Sequence, residues 1–248
     1  MNAEPTRPSL GRDLERAFAA YAGRVAVECG ERRLSYAELG AMVRSAARGL
    51  AARGVAPGEI VASWSPNAVE PLVTHYAAIL HSAAVVHMDP EWSAAEAAAC
   101  LSGACAVGLF VRAFHQGIQY PALVKTVRRE CRQLRFVVTH GREPRFESLL
   151  PDGWGEFLQS GAGAPPVETD APAVAQPRES AQRIAMFAGL HVEGTMALGP
   201  LPAHLNGHTL VIGHADQPDA VGWARSNGCA RIVAGEGAHA HAAQAAVA

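Results

Sequence analysis

The sequence predicts an α/β fold built on a doubly wound, mainly parallel sheet. Three observations lead there. Short apolar runs of strand length alternate with helical periodicity from about residue 13 to 142. The runs are β-branched and nearly continuous rather than alternating, as strands buried on both faces require. Helix-length segments separate them, which suits crossovers between parallel strands better than hairpins.

Taken in order, residues 1–12 read as a loose tail and "RVAVEC" (24–29) as the first strand. A Gly-Glu turn leads back to Arg33 and Leu34, and Ser35 with Glu38 forms an S-x-x-E capping box. In such a box each side chain satisfies a free N–H at the helix start. The helix it opens carries Leu39, Val43, Ala46, Ala47 and Leu50 on one face and stops before Gly54. Strands follow at "IVASW" (60–64), "AVVHM" (84–88), "VGLFV" (107–111) and "RFVVTH" (135–140). Helices are expected from Val69 to Leu80, over 93–104 and over 121–134.

The pattern breaks between 143 and 180, where Pro, Gly and acidic residues read as a linker. A partial second α/β segment, 181–235, is expected to begin with a helix around 179–189. Strands at "TMALG", "TLVIG" and "ARIVA" follow, with a helix from about Pro218 to Asn227. Residues 236–248 read as a disordered tail.

Composition bounds the function. The 248 residues are 49% hydrophobic and 18% charged with net charge −2, which argues against nucleic acid or an anionic membrane as a partner. Five cysteines form no CxxC pair, and no apolar run approaches the ~18 residues of a membrane span, so a cytoplasmic protein with reduced thiols is expected. Lys125 is the single lysine. His204 and His208 have i, i+4 spacing, but Asn206-Gly207 between them argues against a helix and no cluster completes a metal site. Ser160 lies in no G-x-S-x-G elbow, so it is not a nucleophile candidate.

Motifs then become specific. "LSYAELG" (34–40), "GVAPGEIVA" (54–62), "PNAVE" (66–70) and "LHSAAVVHMDPEW" (80–92) resemble, in order and spacing, core segments of the adenylate-forming (AMP-binding) superfamily. That superfamily includes acyl- and aryl-CoA synthetases, peptide-synthetase adenylation domains and luciferases. "LGPLPAHLNGHTLVIG" (198–213) resembles its segment ending in Pro-x-x-His, which lines the acyl or aryl pocket. The resemblance implies a partial N-terminal domain of such an enzyme, with His204, Asn206 and Gly207 at a substrate pocket.

It further implies a phosphate loop at "LQSGAGAPPV" (158–167), after a strand-like lead, with Ser160, Gly161 and Gly163 as its remnants. Such loops converge backbone N–H groups on phosphate and add hydroxyls and a lysine. Here Ala162 replaces a hydroxyl, no lysine follows, and Pro165-Pro166 removes two N–H donors. Each lost charged hydrogen bond costs about 1.5–3 kcal/mol. Hence neither ATP nor Mg, the cofactors of the parent family, is expected to be retained.

The resemblance thus implies a truncated relative of enzymes that convert a carboxylic acid to an acyl adenylate and then a thioester, inactive alone. The alternative is a non-catalytic module. Expected partners are an acyl carrier protein, a synthase or a complementary ligase half. The basic helix bearing Lys125, Arg128, Arg129, Arg132 and Arg135 is either a solvated face or a surface for an acidic partner.

Overall fold

The computed structural model describes residues 10–141, 153–162, 181–213 and 219–234. Its first half contains α1 (Leu10–Ala20), β1 (Val25–Cys29), β2 (Arg32–Ser35), α2 (Tyr36–Ala52), β3 (Ile60–Trp64) and α3 (Val69–Leu80). There follow β4 (Ala84–Met88), α4 (Ala94–Gly103), β5 (Gly108–Arg112), the short hairpin β6 (Phe114–His115) and β7 (Ile118–Gln119), α5 (Tyr120–Glu130) and β8 (Phe136–His140). The remainder is α6 (Trp154–Ser160), β9 (Arg183–Met186), α7 (Thr195–Leu198), α8 (Pro200–Leu205), β10 (Thr209–Ile212), α9 (Ala220–Ser226) and β11 (Arg231–Val233).

Two sheets carry the fold. One has the order β4-β3-β5-β8 and is parallel throughout. The other has the order β11-β9-β10-β1-β2, parallel except for the β1–β2 hairpin. The second sheet therefore joins strands from both sides of the Pro-Gly-rich segment.

Period-two alternation along each strand sorts the core into layers. Val61, Phe110 and Val138 face an inner layer of α1, α2, α3, α6 and α8, which packs Leu210, Ile212 and Met186 of the other sheet on its far side. Ala62, Trp64, Leu109, Val111 and Val137 face outward onto α4 and α5. Ala185, Val211 and Ile232 face outward onto α9. Because α3 lies between two sheets it is buried nearly all round, with Leu72, Val73, Tyr76 and Ala77 inaccessible.

The expected capping box opens α2: Glu38 Oε2 accepts from the Ser35 N–H at 2.8 Å, and Ser35 Oγ accepts from the Glu38 N–H at 3.2 Å. The same signature at Ser93 and Glu96 caps α4. Gly54, at φ +68, ends the α2 turn as expected.

Three expectations are corrected. Residues 183–186 form a strand, not a helix, because they insert between β10 and β11 and gain ladder bonds on both sides. "TMALG" is helical (α7) rather than a strand. Since β9 and β10 are parallel neighbours, the chain between them must cross over, and α7 and α8 make that crossover. Leu158 and Gln159, expected as the strand-like lead of the phosphate loop, belong instead to helix α6, whose first turn is closed by Glu156 accepting from the Gly153 N–H at 2.9 Å.

Candidate functional site

Parallel sheets gather their connecting loops at the carboxyl ends of the strands, and ligands of open α/β sheets bind there. In this protein the two sheets open a cleft of about 360 Å³ at those ends. Cys29 closes β1, Pro66, Asn67 and Ala68 follow β3, Pro90 and Glu91 follow β4, and Arg112 ends β5. His115 and Gln116 come from the β6–β7 hairpin, and Gly189 with His191 from the turn after β9.

Asn67 ties the two walls together. Its Nδ2 donates to the Ala188 carbonyl at 2.8 Å and its Oδ1 accepts from the Leu190 N–H at 3.1 Å. Both bonds span the gap between the β3–α3 turn and the β9–α7 turn. Asn67→Ala is expected to cost about 1–3 kcal/mol and to speed hydrogen exchange at the Leu190 amide, measurable by NMR or mass spectrometry. Unchanged exchange at Leu190 would contradict the clamp.

The wall after β4 is fixed from behind. Trp64 Nε1 donates to the Asp89 carbonyl at 2.9 Å and the Tyr120 hydroxyl donates to the Pro90 carbonyl at 2.9 Å. His191 Nε2 lies 3.9 Å from Asp89 Oδ2. Arg112 donates through Nε to the Phe114 carbonyl at 2.9 Å. Arg112 is the one cationic side chain among the residues lining the cleft, and no carboxylate among the described residues is paired with it.

Behind Cys29, burial works to raise the Glu70 carboxyl, but His140 and Arg32 hold it below the usual range. Arg32 Nη1 is 2.6 Å from Glu70 Oε1 and His140 Nδ1 is 3.8 Å from Oε2. Burial pushes the Cys29 thiol up, so it stays protonated.

The residues singled out in the sequence go elsewhere. His204 is inaccessible: Nε2 donates to the Ala26 carbonyl at 3.0 Å, Nδ1 is 2.6 Å from the Tyr76 hydroxyl, and the Tyr36 and Tyr76 rings meet it edge-on. Among the described residues it borders neither the cleft nor a surface groove and instead joins α8 to α3 and β1, away from its expected place at a pocket wall. Asn206 caps α8 by donating to the Pro202 carbonyl at 2.8 Å and borders a separate surface groove of about 210 Å³. Gly207 has φ +74, and a Cβ there would stand 2.7 Å from the Tyr21 ring. Its glycine serves a tight turn against α1.

Ser160 and Gly161 end helix α6. Ser160 Oγ donates to the Phe157 carbonyl at 2.7 Å and accepts from Arg53 Nη1 at 2.7 Å. A Cβ on Gly161 would stand 2.4 Å from the Arg48 Cβ, so this glycine lets α6 approach α2. Neither residue lines the cleft. Gly163, Pro165 and Pro166 lie outside the described residues. Among those described, no group of three or more His, Cys, Asp or Glu could hold a metal ion, and no helix is long and apolar enough to cross a membrane.

The cleft residues that sequence reasoning missed are Asn67, Arg112 and His191. The signal for His191 was "FAGLHVEG" (187–194), an apolar run ending in His and Gly directly after a strand. His191 reaches the cleft because it follows the carboxyl end of β9.

Layered parallel sheets with a cleft at their carboxyl edges define the class. The sequence profile described as AMP-binding enzyme matches residues 14–179, and the chain belongs to that family. Over 135 residues it is 36% identical to an octahydro-indenyl propanoyl:CoA ligase of Mycobacterium tuberculosis, a match covering 54% of this chain and 25% of that ligase. Its fold is similar to the crystal structure of the anthranilate CoA ligase AuaEII in complex with anthranoyl-AMP, with TM-score 0.74 and 14% identity over 92% of this chain and 50% of that one. It is also similar to Mycobacterium smegmatis MbtA in its apo structure, with TM-score 0.71 and 22% identity over 90% and 47% of the two chains. The chain thus spans about a quarter of the curated acyl-CoA ligase relatives and about half of these solved structures.

Proposed function

We propose that this chain is an acyl- or aryl-CoA ligase relative that holds a small carboxylic acid in the interlayer cleft and does not by itself carry out adenylation. The observation that carries the first half is the cleft's chemistry. Apolar walls from Pro66, Ala68, Pro90 and Gly189 surround a single lining cation, Arg112, with His191 opposite the β4 wall. A guanidinium in a partly dehydrated cleft favours a carboxylate by a charge-assisted, bidentate contact. AuaEII, in complex with anthranoyl-AMP, makes an aryl acid the first ligand to test.

Adenylation needs a triphosphate cradle, and the residues at hand fit one poorly. The Ser160 hydroxyl is committed to Phe157 and Arg53. The only lysine of the chain, Lys125, is on the exposed face of α5 and does not line the cleft.

The test is a calorimetric titration of the full chain with benzoate and hexanoate, repeated on Arg112→Gln and His191→Ala. Saturable binding, weakened about tenfold or more by Arg112→Gln, is expected for a lost charged contact. Absence of binding, or equal affinity in Arg112→Gln, would overturn the reading.

A further inference from the structure

The outer face of α5 concentrates positive charge that nothing in the fold uses. Residues 125 to 135 hold five bases and one acid in a chain whose net charge is −2. Lys125, Arg128 and Arg129 occupy i, i+3 and i+4 of α5, so they project from one face of the helix, and Arg132 follows just beyond its carboxyl end at Glu130. All four are exposed. None is ion-paired among the described residues, whereas Arg135 is held by Glu59. Arg128 and Arg129 sit in the last turn, where cations favour the helix dipole. Lys125 and Arg132 lie outside that turn and gain nothing from it.

We propose that this face is a docking surface for an acidic, helical protein partner. The opposite face of α5, Tyr120, Val124 and Val127, is buried against β5 and β8, so the helix has no apolar stripe to insert into a bilayer. Nucleic acid suits it poorly as well. With pI near 6.6 the rest of the chain is acidic and would repel a long polyanion, while a compact acidic helix touches the basic stripe alone. Carboxylates at i, i+3 and i+4 of an opposing helix match the spacing of Lys125, Arg128 and Arg129. The surface lies on the outer side of the β4-β3-β5-β8 sheet, so a partner there leaves the cleft open, and this inference stands independently of what the cleft binds.

The test uses the full chain and a synthetic alanine-based helical peptide with glutamate at i, i+3 and i+4, read by fluorescence anisotropy. Saturable binding should weaken about tenfold between roughly 50 and 200 mM salt, as exposed charge contacts do. The quadruple variant K125Q/R128Q/R129Q/R132Q should lose about tenfold or more, and Arg231→Gln, on β11, should bind as the parent does. If removing cations from the last turn of α5 unfolds the chain, K125Q/R132Q leaves that turn intact and should still lose severalfold. No binding to the peptide, or unchanged affinity in K125Q/R132Q, would overturn the proposal. So would tighter binding to duplex DNA or to phosphatidylserine vesicles than to the peptide.

Discussion

His204→Ala should destabilise the protein by about 3–5 kcal/mol, the largest effect expected from any single substitution named above. The imidazole is inaccessible and wedged between Tyr36 and Tyr76, so its removal leaves a cavity in the layer between the sheets. The same change strands the Tyr76 hydroxyl and the Ala26 carbonyl, which now pair with its two nitrogens. In a chain of this size the melting temperature should fall by about 6–20 °C. His204→Phe refills the volume without the bonds and should recover part of the loss. A change below about 1 kcal/mol for His204→Ala, typical of a surface site, would contradict the interior role.

The second large effect is acid sensitivity above the carboxylate range. Burial lowers His75 to about 4, His140 to about 4 and His204 to about 4. Burial, with His75 and His191 nearby, lowers His87 to about 3. His75 Nδ1 and His87 Nε2 are 2.9 Å apart in stacked rings, a pair that holds only while at least one nitrogen lacks a proton. All four folded values lie below the unfolded histidine value of about 6.5. Below that pH the unfolded chain binds protons that the folded chain refuses, so stability falls as pH drops. The slope is about 1.4 kcal/mol per pH unit for each histidine until the folded value is reached.

Carboxylates held low, such as Glu28 beside Arg183, stay ionised through most of this window and lose their contribution only at lower pH. Stability measured by urea unfolding should therefore be level above about pH 7 and decline steeply between about 6.5 and 5, where histidine titration dominates. His87→Gln should flatten part of that decline. A stability profile level down to pH 4.5 would contradict the neutral buried histidines.

Much of the fold was legible because local and tertiary signals agreed. Ser35 and Glu38 announce a helix start that the structure keeps, and "IVASW" and "RFVVTH" are buried strands in sequence and in space. Agreement failed where position in the sheet decided. Arg183–Met186 is too short to show a period, and its strand state comes from ladder partners on both sides. "TMALG" has strand-like composition, but a crossover between parallel neighbours is required at that point.

The site was less legible than the fold. Asn67, Arg112 and His191 are far apart in sequence and meet only because parallel strands deliver their carboxyl ends to one edge. His204, by contrast, looked functional because "LGPLPAHLNGHTLVIG" resembles the pocket-lining segment of the family. Its bonds to Tyr76 and Ala26 show a core histidine. Ser160 and Gly161 had the composition of a phosphate loop, yet the glycine there serves the close contact of α6 with α2.

The most direct measurement is a calorimetric titration of the folded full-length chain with Mg-ATP, folding being verified by circular dichroism in the same sample. The account of a family member that keeps the layered fold and its cleft but not the nucleotide chemistry predicts no saturable heat up to about millimolar ATP, an affinity weaker than roughly −4 kcal/mol. Saturable binding at about micromolar ATP, near −8 kcal/mol, would contradict it.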